Sequence, residues 1–369
     1  MSNQNIQDAP ALKDIFNAER IHHIADEAIG VFPAFNRKRF LALTLNRLND
    51  LSLMARLRLV AESLHAVLPG DYCANLSVLR DLAPRLNNGF VTMALPEYVA
   101  LYGADDFSAS MEALKFFTTF GSSEFAIRHF LRRDFSRTLL VMTAWSQDEN
   151  EHVRRLASEG SRPRLPWSFL LPQLVFDPSP LAPILDNLKA DPSPYVRRSV
   201  ANCLNDITKD NPEWALKRIE NWPLEEKATA WIAKHALRSL IKKGDRRALA
   251  VIGAGETAEV TLHGLKVTPK ATMLGERITI SFELRSTSDS TQRLVVDYAI
   301  HYVKSSGAIS AKVFKLKTLT LHGRSSARLS KTQLIANFTT RTHYAGRHDI
   351  DIFVNGQMYG RTSFDLQVS

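Results

Sequence analysis

From about residue 10 to residue 252, apolar residues recur every three or four positions, as in RFLALTLNRLNDL, MEALKFFTTF and KATAWIAKHALRSLIKKG. That period puts them on one side of a helix, and Pro and Gly fall between such segments. After the small-residue stretch GAGETAE the period changes to two: EVTLHGLKV, RITISFELR, RLVVDYAIHYV, HDIDIFV and TSFDLQV alternate apolar with polar residues, as half-buried strands do. Six or seven strands in about 110 residues predict an antiparallel sandwich of immunoglobulin-like type without its disulfide. The pattern therefore predicts two domains, all-α over residues 1–255 and all-β over 258–369.

The helical part repeats itself. DENEHVRRLA (148–157) aligns with DPSPYVRRSV (191–200), so that Val153 and Val196 stand 43 positions apart, a period proper to HEAT-type helix pairs. A fainter copy, TAWIAKHA (229–236), follows 36 positions after the second. Such pairs stack into a solenoid that buries one continuous core and offers a concave face to long partners.

Composition narrows the class. With 369 residues, 45% of them hydrophobic, the chain has enough apolar surface for two globular cores. No run approaches the roughly 18 apolar residues of a membrane span, and the start, MSNQNIQDAPALKDIF, has neither a basic n-region nor an apolar h-region. The expectation is a cytoplasmic protein, monomeric and without a membrane partner. Cys73 and Cys203, the two cysteines, have no His or Cys at ligand spacing, which argues against a disulfide framework, a structural zinc site or any metal. The net charge is +9, and residues 258–369 hold 15 Lys and Arg against 8 Asp and Glu, so they carry +7 of it. A polyanion partner fits that excess, and the candidates for meeting it in the sandwich are Arg341 and Arg347 of RTHYAGRH.

On the helix that starts near Tyr195, Val196, Val200, Cys203, Leu204 and Ile207 form the stripe to be buried. Arg198, Asn202, Asn205 and Asp206 follow the same spacing on the other flank. The preceding repeat places Arg155, Glu159 and Arg162 there, and the segment before it Glu124 and Arg128. Any one of these pairs reads equally as a solvated ion pair worth about 0.2–0.5 kcal/mol. Arg154 and Arg197 either face a phosphate or tie the turn before the helix through its carbonyls or through Asp148 and Asp191. The five tryptophans read as core, except that Trp167 follows a P-R-L-P break and is placed to stand at a mouth between helix pairs.

HVRRLASEGSRPRLPW and YVRRSVANCLNDITKDNP resemble the paired motif of the AlkC branch of the AlkC/AlkD-type DNA alkylation-repair glycosylases. The likeness runs from about residue 10 to 250, and the sandwich resembles the immunoglobulin-like domain that some members carry. The resemblance implies a HEAT-like enzyme that removes N3-methyladenine and, in this branch, N3-methylcytosine from double-stranded alkylated DNA without flipping the base, and that works beside the nucleoid of a bacterial cytoplasm. It implies Glu124, Glu159 and Asp206 as an acidic lining, Trp167 as an aromatic wall, and Arg155 and Arg198 as backbone contacts. Arg128, Arg154, Arg162, Arg197 and Asn202 join the expected DNA-binding set.

The chemistry needs no cofactor. An N3-methylated base is already cationic and leaves as a neutral heterocycle, while positive charge builds on the sugar in an oxocarbenium-like transition state. A fixed carboxylate and an indole face both stabilise that charge. No Gly-rich phosphate loop is evident and no Lys can be placed beside Trp167, which predicts a monofunctional glycosylase. The alternative from another class is a non-catalytic HEAT scaffold that binds DNA or protein.

Overall fold

The computed structural model describes residues 12–338 and 341–368, so residues 1–11, on which the reading of the chain start partly rests, lie outside the described residues. Its contacts divide the chain into two compact units, Met1–Pro212 and Glu213–Ser369. Helix gives way to strand near residue 255 as the pattern predicts. The helices from residue 213 to 251 nevertheless belong, by contact, with the sandwich.

Unit one is all helical. The helices Glu151–Gly160 and Pro194–Ile207 carry the repeat, with Ala182–Leu188 packed against both. Val196, Val200, Cys203, Leu204 and Ile207 are buried as the spacing requires, and Val153, Leu156 and Ala157 match them in the preceding copy. The two repeat helices pack directly against each other, and a Ser158–Ser199 hydroxyl bond of 2.7 Å marks their contact. Both starts are capped by a side chain, Asn150 on His152 N and Ser193 on Tyr195 N, with Pro194 at the first helical position. The helix Glu151–Gly160 ends on a glycine, where a Cβ would stand 2.5 Å from Ile127 Cγ2 of the helix Ile127–Arg133.

In unit two the helices Lys227–Ala236, Arg238–Lys242 and Arg246–Val251 precede eight strands. These are β1 Val260–Thr268, β2 Ala271–Met273, β3 Arg277–Ser286, β4 Gln292–Val303, β5 Ile309–Leu321, β6 Ser326–Leu334, β7 Gly346–Val354 and β8 Gln357–Gln367. One sheet has the order β1-β3-β6 and the other β2-β8-β7-β4-β5. Among the described residues only β2 and β8 pair in parallel. Ile278, Ile280, Phe282 and Leu284 of β3 share one core with Leu294, Val296, Tyr298 and Ile300 of β4. The opposite face of β4 is also dry: Val295, Asp297 and Ala299 are buried. The helices supply that cover. Arg238–Lys242 touches β5, and Gly244 meets Gly356 of the β7–β8 turn so closely that a Cβ on either would fall within 3.0 Å of the other's backbone.

Candidate active site

Three acids and three cations form one alternating chain in unit one. Glu124, in the turn before the helix Ile127–Arg133, pairs with Arg155. Arg155 Nη2 lies 3.7 Å from Glu159 Oε1, and Arg162 Nη1 donates to that same oxygen at 2.6 Å. Arg162 Nε donates to Asp206 Oδ2 at 2.8 Å, and Lys209 Nζ closes the series on Asp206 Oδ1 at 2.8 Å. Ser122 bridges the outer end by accepting from Arg155 and donating to Glu124, each at 2.8 Å. Burial pulls the Arg155 and Arg162 guanidinium groups down, but the carboxylates beside them outweigh it and hold both above the ordinary arginine value.

This arrangement fixes the acids before any ligand arrives. Glu159 and Asp206 are 5% and 3% exposed, and charges so far from water persist only when paired and hydrogen-bonded. With as many cations as carboxylates the strip carries no formal charge of its own.

The chain of charges opens at one end on a cleft of about 370 Å³, whose walls include Phe90, Glu124, His152, Arg155, Trp167 and Tyr195. Trp167 is 61% exposed with φ at 64°, a left-handed conformation that bulky residues avoid. The loop that bears it is clamped on both sides. Arg128 donates to the carbonyls of Gly160, Arg162 and Phe169, Arg132 lies 3.5 Å over the Phe169 ring, and Arg164 makes two 2.7 Å bonds to Asp210. The indole meets Phe90 edge-on at 6.3 Å. An exposed aromatic held in a costly backbone conformation by so many anchors is the kind of strain that collects at functional sites.

Several expected phosphate contacts are corrected by these bonds. Arg128 is fully buried, its guanidinium spent on carbonyls and pushed by burial down to about 10, so it holds the loop and cannot reach DNA. Arg154 bonds Asp191 at 2.7 and 3.2 Å and the carbonyls of Asp148 and Glu149. Arg197 bonds the carbonyls of Asp191 and Pro192 in the same manner, so the turn-tying alternative holds for both. Arg155 and Arg162 are committed to the acids and not presented as free cations. Asn205 and Asp206, expected on an open flank, are buried. Arg198 is exposed and Asn202 half-buried. In unit two, Arg341 lies 4.7 Å over the Tyr302 ring, and Arg347 is exposed beside Asp349 at 3.2 Å.

Four participants escaped the sequence reading: Tyr195, His152, Ser122 and Lys209. Arg155 lies 5.0 Å over the Tyr195 ring, and His152 meets that ring at 5.6 Å. Tyr195 precedes Val196 as His152 precedes Val153, so the repeat itself carried the signal.

Two family models match parts of the chain. Residues 181–210 match the model of a HEAT repeat, and residues 261–368 that of the C-terminal Ig-like domain of the uncharacterised protein YhaZ. A solved structure, Pseudomonas fluorescens alkylpurine DNA glycosylase AlkC bound to DNA containing an abasic site analog, is 61% identical. The alignment covers 97% of this chain and 100% of that one, with a TM-score of 0.95. Uncharacterized protein YhaZ of Bacillus subtilis (strain 168) is 42% identical over 358 residues, 97% of this chain and 99% of that protein. A HEAT-repeat domain followed by an immunoglobulin-like sandwich defines the class. The chain belongs to the AlkC family.

Proposed function

We propose that the protein is a DNA glycosylase that hydrolyses the N-glycosidic bond of cationic alkylated bases in duplex DNA, 3-methyladenine first and 3-methylcytosine as a second substrate. The observation that carries this reading is a carboxylate-and-indole cleft, backed by a neutralised row of acids, in a chain 61% identical to a protein described as an alkylpurine DNA glycosylase. As the bond breaks, its electron pair leaves with the base, which departs neutral, and C1′ becomes cationic. Glu124 lines the cleft and is the acid placed to orient water and take its proton, while Glu159 and Asp206 act behind it as fixed negative charge. Trp167 offers its face to the same cation. It stands 61% exposed at the rim of an open cleft, which favours a base that stays in the stack. Residues 1–255 would carry the reaction and the basic sandwich auxiliary binding, by a monomer in a bacterial cytoplasm.

The test is to incubate the protein with methylated duplex DNA, separate free bases chromatographically and reveal abasic sites with alkali. Release of 3-methyladenine is expected, with Glu124→Gln and Trp167→Ala each slowing it on the order of 10²–10³-fold for the acid and less for the indole. Binding to the duplex without release above the spontaneous rate would overturn the reading in favour of a scaffold.

A further inference from the structure

Within unit two, a cavity of about 220 Å³ lies between the helices Lys227–Ala236 and Arg238–Lys242 and the strands β4 and β5. Lys234, Arg238, Lys242 and Lys315 bring four positive charges to it, Asp297 brings one carboxylate, and Trp231 lines its wall. Trp231 is 41% exposed and stacks on His235, the rings 5.1 Å apart and 11° from parallel. Asp297 is 5% exposed, and among the described residues no hydrogen bond or ion pair holds it. Burial raises its carboxyl to about 6 in spite of Lys315 and Lys242. Burial also lowers the Lys315 ammonium, opposed by Asp297 and helped by Lys234, Arg293 and Lys242. Arg238 also donates to the His235 carbonyl at 2.6 Å, so the feature that stands out is Asp297, a buried acid that no hydrogen bond among the described residues holds although four cations crowd its cavity.

Each feature selects a part of the ligand. Clustered ammonium and guanidinium groups beside an exposed indole are the means by which proteins hold a phosphate and stack the base attached to it. A carboxylate repels phosphate, so the phosphate stays toward the lysines and Asp297 takes a hydrogen-bond donor. Carboxylates accept from base amino groups, and thymine has none. The volume lies below the roughly 300–1,000 Å³ common for drug-sized ligands, room for one base and not for a duplex, whose bases are stacked and paired.

We propose that this cavity binds one unpaired nucleotide, its base laid on the Trp231 indole, its amino edge donating to Asp297 and its phosphate held by Lys234, Arg238, Lys242 and Lys315. Guanine, with two donors on one edge, suits a carboxylate best. The nucleotide comes from a DNA tail or gap or from the free pool, and the two sources share this chemistry. The inference stands apart from base release, which belongs to the acids of unit one.

The experiment uses the full chain and labelled hairpin duplexes that end in an unpaired guanine tail, a thymine tail or an abasic tail, with affinity read by anisotropy. The guanine tail is expected to bind roughly tenfold tighter than the abasic tail, the scale of one stacked base. Trp231→Ala and Lys315→Met should each remove that gain while base release from a blunt methylated hairpin is unchanged. Asp297→Asn should narrow the preference for guanine over thymine. Deoxyguanosine monophosphate that erases the gain supports a pocket open to free nucleotides, and failure of the mononucleotide to compete supports a strand-bound one. Equal affinity for guanine and abasic tails, or a gain that survives Trp231→Ala, would overturn the proposal. So would inorganic phosphate competing as well as the mononucleotide, which would leave an anion site blind to the base. Loss of base release from the blunt hairpin in the wild-type chain would refute the glycosylase reading and leave this one standing.

Discussion

Glu159→Gln separates chemistry from architecture most sharply. Glu159 Oε1 accepts from Arg162 at 2.6 Å and stands 3.7 Å from Arg155, so the substitution deletes one negative charge with hardly any change of shape. Breaking a buried pair can cost about 3–5 kcal/mol when a charge is stranded. Neither arginine is stranded here, since Arg155 keeps Glu124 and Arg162 keeps Asp206, and the amide oxygen still accepts. The loss should therefore stay near the roughly 1.5–3 kcal/mol of one charged hydrogen bond, a fall of several degrees in melting temperature. Base release should drop on the order of 10²–10³-fold, because one of the fixed negative charges behind the cleft is gone. Duplex binding should persist and tighten slightly, since the strip gains one unit of net positive charge while both arginines stay bonded to the remaining acids, and its salt slope should stay close to the wild-type value. Single-turnover release from methylated duplex, paired with anisotropy across salt concentrations, reads both quantities. Release at the wild-type rate alongside a lowered melting temperature would refute the reasoning and reduce Glu159 to a brace for the arginines.

Arg198→Ala should weaken binding to methylated and unmethylated duplex alike and shrink the salt slope by about 1, whereas Arg154→Ala should lower the melting temperature and leave the slope alone. The same titration on both variants checks this, and equal slopes would refute the division. Arg128→Met should release the Trp167 loop from the carbonyls of Gly160, Arg162 and Phe169, costing several kcal/mol and slowing base release without altering the salt slope. A variant as stable as wild type in a thermal melt would contradict that role. Asp297 has its carboxyl raised to about 6 by burial, so the folded state holds a proton that the unfolded state, with its ordinary value of 3.8, has released. Stability therefore falls as pH rises from about 4 to about 6, by on the order of 3 kcal/mol. Asp297→Asn should raise the melting temperature at pH 7 and lose that advantage near pH 4, and melts across this range would show a flat difference if the carboxylate is solvated.

How much of this was legible along the chain depended on distance in sequence. The buried stripe from Val196 to Ile207 follows from spacing alone, because one helix decides it. Burial of Asp206 does not, since its partner Arg162 lies 44 residues away and nothing local distinguishes a paired carboxylate from a solvated one. Arg128 misled for the same reason: its guanidinium meets carbonyls 32 to 41 residues downstream. Strands β3 and β4, and the edge strand β1, announce themselves by alternation, whereas β5 and β6, also at the edges of their sheets, carry Lys and Ser on exposed positions that blunt an edge and the pattern together. Trp167 could be singled out because the P-R-L-P break precedes it, but its left-handed backbone and the Phe169 clamp were not readable.

The dry outer face of β4 bears on how this architecture can be cut and traded. Were the sandwich inherited or expressed as the stretch that matches the Ig-like family, residues 261–368, it would arrive with Val295 and Ala299 bare and Asp297 without its shelter. A patch of that kind on an isolated β domain invites self-association. The portable module is therefore longer than the domain its strands define. It begins at Glu213, and the helices that look like the tail of the repeat array travel as the lining of the sheet they cover.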